Sequence, residues 1–273
     1  MGGVLPSGMR QLRLLAVLLV LPARLYAADP LLEARRLYNQ GQYDEAARVI
    51  REAALSGVAA DRGRLILGRI HLERYRRSAD PQDLADARMA LRAADVRALD
   101  PRERVELVVG LGETLYFEDR YGAAAELFDM AIGAAPLLGA AAHERILDWW
   151  ATALDRLARS RPAAERGAIY DRIVDRMNAE ILRDPGSMPA GYWLVAAAHG
   201  RGDIESAFDA AAAAWVRALL GRDRGVLLRA DVDRLMIEAI IPERASRLNA
   251  RDPKPIVATM TTEWEAFKQR WTR

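Results

Sequence analysis

The chain has 273 residues, 51% of them hydrophobic, so it is long enough to bury a sizeable core as one large or two small domains. It contains no cysteine, which excludes disulfide bonds, cysteine-ligated zinc and thiol nucleophiles. The formal net charge is +2, but residues 1–27 hold three arginines and no acid. The rest of the chain has 37 basic and 38 acidic side chains, which is a net charge of −1. This charge gives no argument for a nucleic-acid partner.

Residues 1–27 have the pattern of a secretory signal peptide. Arg10 and Arg13 precede an apolar run at 14–21, and LYA at 25–27 forms a small-residue cleavage site. The apolar run is shorter than the roughly 20 residues that a membrane-spanning helix needs. We therefore expect an exported protein, periplasmic or secreted, without an integral membrane segment once the signal is removed. An uncleaved N-terminal anchor is the alternative.

Residues 105–133 predict two helices joined by a tight turn. Because a helix turns by 100° per residue, positions three or four apart share one face. The small Gly112 lies on the apolar face of the first helix, and Ala124 and Ala131 lie on that of the second. The two backbones can therefore approach each other closely, and Pro136 is expected to end the second helix.

Further segments repeat this arrangement of small residues. Residues 33–55 and 191–214 each place a glycine at the turn, Gly41 and Gly202. A looser copy contains Ala87, and its turn, RYRRSADPQD, is predicted to be longer than the others. The chain therefore predicts a series of similar helical hairpins.

The well-marked segments resemble the tetratricopeptide repeat, a helix–turn–helix unit of about 34 residues. Two departures from that pattern are Asp119 in place of the turn glycine and Ile204 in place of the aromatic residue that follows it. Residues 141–182 supply a longer pair that lacks the small-residue signature. The resemblance covers residues 31–219. It implies an all-α, right-handed solenoid of about five antiparallel helix pairs, two of them degenerate, in a bacterial-type exported protein.

The predicted domain organisation has three parts: a signal peptide over 1–27, a repeat domain over 28–219 and capping helices over 220–273. The last part contains an amphipathic segment that we expect to be broken near Pro242, and a short C-terminal helix. About fifty residues rarely form a stable domain alone. These helices are therefore expected to cover the apolar face of the last repeat.

No motif predicts catalysis, a metal site or a cofactor. His71, His143 and His199 fall in different predicted helix pairs, and Glu144 beside His143 lacks the second histidine of a helical zinc site. VGLGET, at 109–114, lacks the Lys-Ser/Thr of a phosphate loop. We expect no bound cofactor.

The resemblance implies that one face of each first helix lines the concave side of the solenoid and binds a partner. The candidate residues on that face are Arg35, Tyr38, Arg69, Glu113, Tyr116, Tyr192 and His199, with Arg62 preceding Arg69 on the looser unit. Aromatic and arginine side chains suit peptide recognition because they combine rigid area with hydrogen-bond donors. The alternative is that several of them pack against neighbouring repeats.

Two classes of function remain. The first is a non-catalytic interaction or scaffold protein that holds a peptide segment or a partner protein. The second is an enzyme, or the accessory subunit of one, with a site hidden in the degenerate region 137–190, where Glu144 or Glu165 would act as an acid. A closed, water-excluding pocket around a carboxylate or histidine would favour the enzyme, and an open groove would favour the binding protein.

Overall fold

A computed structural model describes residues 29–221 and 224–272. The regular structure in these ranges is all helical, without a strand, so the prediction of an all-α chain is confirmed. The predicted signal peptide lies outside the described residues. None of the described helices is long and apolar enough to cross a membrane.

The helices follow one another with short connections. In chain order the α-helices are α1 (Pro30–Asn39), α2 (Tyr43–Glu52), α3 (Gly57–Ser78), α4 (Pro81–Ala93), α5 (Pro101–Phe117), α6 (Tyr121–Ile132), α7 (Ala140–Arg159), α8 (Ala163–Arg183), α9 (Met188–Gly200), α10 (Ile204–Arg217), α11 (Arg224–Leu235), α12 (Ile241–Leu248) and α13 (Lys254–Thr272). Short 3₁₀ turns lie at Val96–Ala98, Ala135–Leu138 and Ala218–Gly221, and a π-helical turn lies at Met236–Ile240.

An aspartate followed by proline opens several of these helices. At α5, the Asp100 carboxylate accepts a hydrogen bond from the Glu103 backbone N–H at 2.8 Å, and the Glu103 carboxylate accepts one from the Asp100 N–H at 3.1 Å. This is a capping box, and Pro101 occupies the first helical position, where no N–H is needed. The same Asp-Pro pair opens α1 and α4.

Three turns share one backbone conformation. Gly41 (φ 74°), Asp119 (φ 58°) and Gly202 (φ 83°) are all left-handed, and they follow α1, α5 and α9 respectively. Glycine adopts this region freely, and aspartate is one of the few other residues that tolerate it. The predicted turns at these positions are confirmed, including the turn in which Asp119 replaces glycine.

The long turn predicted in the looser copy is wrong. All of RYRRS is helical, because α3 continues for 22 residues to Ser78 and only Ala79 and Asp80 separate it from α4. Ala79 is left-handed (φ 55°), and this conformation ends α3. Arg76 therefore lies on the helix that also carries Arg69.

Small residues allow α5 and α6 to approach each other closely. Ala124 is completely buried between them. A Cβ atom on Gly112 would lie only 2.8 Å from Cε1 of Phe128, a distance that real Cβ contacts do not show. The close approach predicted at Gly112 and Ala124 is confirmed.

Pro242 does not break the C-terminal helical segment, contrary to the prediction. The chain is helical without interruption from Arg224 to Leu248, and the π-helical turn Met236–Ile240 immediately precedes α12. Proline has no N–H for the usual helical bond, and the wider turn changes the hydrogen-bond pattern just where that donor is missing. α11 and α12 therefore continue one another along a single path.

α13 packs against the preceding helices through aromatic rings. Trp264 is 1% exposed, and its ring centroid lies 5.7 Å from that of Trp215 on α10. The Trp264 indole N–H donates to Asp233 of α11 at 2.8 Å. The last helix therefore covers apolar side chains of α10 and α11.

Candidate functional site

A groove of about 750 Å³ lies among α1, α3, α5 and α7. Its arginines are Arg35, Arg62, Arg69, Arg76, Arg102 and Arg145. Its carboxylates are Asp29, Glu73, Asp100, Glu103, Glu106 and Glu113. Tyr38 and Trp149 add aromatic surface to the lining. Charged groups of both signs thus dominate the groove.

Two rows of opposite charge face each other inside it. We call them the arginine–glutamate ladder; it consists of Arg62, Arg69 and Arg76 on α3 and of Glu103, Glu106 and Glu113 on α5. Seven residues make almost two helical turns, so the arginines share one face of α3 at intervals of about 10 Å. The glutamate spacings of three and seven also keep those side chains on one face of α5.

The two outer rungs of the ladder are close ion pairs. Arg62 Nε donates to Glu103 at 3.0 Å, and Arg76 Nη2 lies 2.8 Å from Glu113. The side chains of Glu103 and Glu113 are 6% and 10% exposed, whereas those of Arg62 and Arg76 are 38% and 27% exposed. The carboxylates therefore lie beneath a layer of guanidinium groups.

The middle rung is looser and is tied to α1. Arg69 Nη1 lies 4.0 Å from Glu106, and Arg69 Nη2 donates to the Tyr38 hydroxyl at 3.1 Å. That hydroxyl donates in turn to Glu73 at 3.2 Å. Burial raises the pKa of Tyr38 to about 12 despite the opposing charge of Arg69. The hydroxyl therefore stays protonated at neutral pH and remains a hydrogen-bond donor.

Arg35 connects α1 directly to α5. Its Nη2 donates to Glu103 at 2.9 Å and its Nη1 donates to Glu106 at 3.2 Å. Both carboxylates already face arginines of α3, so each is shared by guanidinium groups from two helices. The groove width is thus held by bonds that reach from one wall to another.

Burial and neighbouring charges shift the pKa values of the ladder residues in opposite directions. Burial raises the pKa of Glu113, although Arg76 and Arg69 oppose that change. Burial also disfavours the charged form of Arg69, but Tyr38, Glu113 and Glu106 outweigh it and raise the Arg69 pKa. The arginine therefore keeps its charge inside the groove.

An aromatic wall closes one side of the groove. The Arg76 guanidinium lies 5.2 Å from the ring centroid of Trp149 and 5.8 Å from that of Phe117, within cation–π range. Tyr116 stands almost perpendicular to Trp149, with centroids 4.9 Å apart. Tyr116 therefore supports the wall from behind.

The structure separates the predicted site residues into three groups. Those that line the groove are Arg35, Tyr38, Arg69 and Glu113. Tyr116 packs on the groove's aromatic wall, whereas Tyr192 and His199 lie on α9. His199 Nε2 is 2.8 Å from Glu243 of α12, and the Tyr192 ring packs against Trp193. These last two residues therefore make contacts outside the groove that α1, α3, α5 and α7 form.

Sequence reasoning missed Arg76, Glu103 and Glu106. Arg76 was assigned to a turn, although its seven-residue spacing from Arg69 signals one helical face. Glu103 precedes the predicted helical segment 105–133, and Glu106 lies inside it but is not among the predicted groove residues. The run DPRE at 100–103 is a capping-box sequence and predicts a helix start that places Glu103 on α5 as well.

A second charged cluster lies between α7 and α8, in the region assigned to a possible enzyme site. His143 Nε2 is 3.2 Å from Glu180, and both side chains are buried. Arg183 also donates to Glu180. Burial raises the pKa of Glu180, but the hydrogen bonds from Arg183 and His143 outweigh burial, and the net pKa is lowered. This cluster is a buried hydrogen-bonded contact between two helices.

Within residues 29–221 and 224–272, no group of three or more His, Asp or Glu side chains is arranged to hold a metal ion. No protein-family model, curated protein or solved structure matches this chain significantly. The described residues define an all-helical protein with a charged groove.

Proposed function

We propose that this chain is an exported, non-catalytic interaction protein of the tetratricopeptide-repeat type that holds an extended segment of a partner protein in the groove. In this proposal, α1 to α10 form antiparallel helix pairs of a right-handed solenoid with a concave inner face. α11 to α13 then cap its C-terminal end.

Local features of the chain support the repeat assignment. Successive helices contact each other, α1 with α2, α3 with α4 and α5 with α6 among them. Left-handed turn residues follow α1, α5 and α9, as a repeated unit requires. The groove-lining helices α1, α3, α5 and α7 alternate in sequence with helices outside it. This alternation is expected where the first helix of each pair faces inward.

The groove is the observation that carries the binding function. Its volume of about 750 Å³ is within the range of ligand sites in proteins. It presents guanidinium groups, a protonated tyrosine hydroxyl and the Trp149 ring side by side. Such donors and rigid aromatic rings bind peptide segments with little loss of side-chain entropy.

Glu144 and Glu165, the two carboxylates predicted as acids of a possible enzyme site, both contact arginines. Glu144 of α7 forms an ion pair with Arg224 of α11. Glu165 is exposed, and its carboxylate lies 3.9 Å from Arg161. The exposed Glu165 lacks the water-excluding environment that activates a general acid, and Glu144, whose side chain is 17% exposed, is held by its arginine partner. Binding is therefore the better-supported function.

Affinity capture tests this proposal. The purified chain is immobilised and exposed to an extract of the compartment to which it is exported, and captured proteins are identified by mass spectrometry. We expect a partner that binds the wild type and Arg48→Ala, because Arg48 is exposed on α2, outside the groove. The double variant Arg62→Ala and Arg76→Ala should lose it. A partner retained equally by all three proteins would show that the groove is not the binding surface.

Intact-mass measurement of the exported protein tests the localisation. We expect a mature N terminus at Ala28, the residue after the predicted cleavage site. Recovery of the uncleaved chain in membranes would instead indicate a retained anchor.

A further inference from the structure

We propose that the partner segment is acidic, and that the groove recognises several Asp and Glu side chains distributed along it. This inference rests on the binding function proposed above and specifies its ligand. It follows from which charges lie at the bottom of the groove and which form its outer layer.

The lining has both charges, and the ladder glutamates lie deeper than the arginines, whereas Asp29 and Asp100 are exposed, Asp100 with 47% of its side chain. Glu106, like the other ladder glutamates, is buried, with a side chain only 8% exposed. Arg35 and Arg102, which bind it, are 32% and 63% exposed. An incoming segment therefore meets guanidinium groups before it meets these carboxylates.

Each guanidinium retains donors for a ligand. An arginine has five N–H groups in a planar fork. Arg62 directs its Nε to Glu103 and has Nη2 3.8 Å from Asp100, while Arg69 directs Nη2 to Tyr38 and has Nη1 4.0 Å from Glu106. These contacts do not use all five N–H groups of either side chain. Arg145 of α7 lines the groove from the opposite side and is exposed. Carboxylates suit these donors because they accept two parallel hydrogen bonds from one guanidinium.

A basic segment fits less well. To reach Glu103 or Glu106 it would have to displace Arg35 or Arg62 from a buried carboxylate. Breaking a buried ion pair leaves a desolvated charge without its partner. The contact with the basic segment would have to offset that cost before it added any affinity. An acidic segment adds bonds to arginines that keep their internal partners.

The distribution of the arginines favours several side-chain carboxylates over a single chain terminus. The arginines come from all four lining helices, α1, α3, α5 and α7. Those on α3 are about 10 Å apart, and an extended chain advances about 3.3 Å per residue. A segment lying along α3 would therefore place an acid at about every third residue.

A displayed peptide library tests this inference. Random short peptides, fused through their C termini so that no free terminal carboxylate exists, are selected on the immobilised full chain. We expect the selected peptides to be enriched in Asp and Glu relative to the starting library. Their binding should weaken about tenfold with Arg62→Gln or Arg145→Gln, because each variant removes charge-assisted hydrogen bonds. Arg48→Gln is the matched control and should bind as the wild type does.

The outcomes separate the two proposals. Peptides that lose affinity with Arg62→Gln and Arg145→Gln but show no enrichment in acids would overturn the acidic specificity and keep the groove as the binding site. Peptides unaffected by both variants, or a library without binders, would contradict the groove function and this inference with it. Melting temperatures close to that of the wild type confirm that the variants are folded, and Arg145 is exposed enough to be replaced without repacking.

Discussion

Arg69 contacts both the face and the hydroxyl of Tyr38. Its guanidinium carbon lies 5.4 Å from the ring centroid, and its Nη2 donates to the hydroxyl oxygen at 3.1 Å. The pair joins α3 to α1 in the groove. A conservative lysine at this position would keep the charge but lose the planar group that stacks and donates together.

Gly112→Ala should destabilise the fold. The added methyl group would lie 2.8 Å from the buried Phe128 ring, and the contact between α5 and α6 leaves no room for it. Overpacking of this kind typically lowers the free energy of unfolding by about 1–3 kcal/mol. Urea denaturation monitored by circular dichroism measures the change.

Gly167→Ala is the matched control for that substitution. Gly167 lies within α8, and no atom outside the local backbone of that helix and its two chain neighbours lies within 4 Å of where its Cβ would be. Alanine is the better helix former by roughly 1 kcal/mol, so this variant should be as stable as the wild type or more stable. Equal destabilisation by both variants would contradict the close approach of α5 and α6.

Glu103→Gln should lower the free energy of unfolding, because it weakens contacts across the groove and the N-terminal cap of α5. The carboxylate binds Arg35 and Arg62 and also accepts the Asp100 N–H. Loss of a buried charged acceptor costs about 1–3 kcal/mol. Glu52→Gln removes an equivalent carboxylate from an exposed pair with Arg48 and should cost less than about 1 kcal/mol. Unfolding free energies that fall by the same amount in the two variants would show that the ladder adds no stability.

Acid should weaken the contact between α7 and α8. The pKa of Glu180 is lowered in the folded chain from its ordinary 4.5, so its stabilising contribution is complete above that value and is lost as pH falls through the lowered pKa. Glu180→Gln should therefore reduce the fall in unfolding free energy at acidic pH. At pH 7 it should cost about 1–3 kcal/mol, because His143 loses its buried partner.

The pH profile needs a control for the many other carboxylates. Glu165→Gln, on the same helix but exposed, should reproduce the wild-type profile. If the profiles of Glu180→Gln and Glu165→Gln coincide across the acidic range, the buried pair does not contribute to the pH dependence.

Trp264→Ala should uncover the apolar surface of α10 and α11. The ring is almost completely buried against Trp215 and stacks on Phe267 at 5.4 Å. Removing a buried tryptophan costs about 3–5 kcal/mol. Trp271→Ala, whose side chain is 47% exposed, is the control and should change the melting temperature little. Aggregation of the first variant alone, seen by light scattering, would indicate that α13 protects the end of the fold.

The positions of small residues made much of the fold predictable. Gly112 and Ala124 specify a close helix contact, and Gly41 and Gly202 specify left-handed turns, because few other residues fit either environment. These local requirements are visible in a single sequence. They fixed the hairpins around them without any knowledge of distant contacts.

The groove was less predictable, because it depends on contacts between residues far apart in sequence. Arg35 meets Glu103 across 68 positions, and no local pattern indicates this pairing. Arg76 was missed because a run of arginines with a serine resembles a solvated turn. Its helix continues nevertheless, since Tyr75 and Arg76 pack against Phe117 of α5.

The wide turn at Met236–Ile240 absorbs one residue within the continuous helical path from Arg224 to Leu248. A π-helical turn holds one residue more than a regular helix needs. Deleting one residue there would convert the turn to regular α-helix and would keep the helix beyond it in phase. Ile241 and Ala245 would then stay buried, and Glu243 would stay beside His199. A one-residue deletion is therefore more tolerable here than in a regular helix, where it would rotate everything beyond it by about 100°.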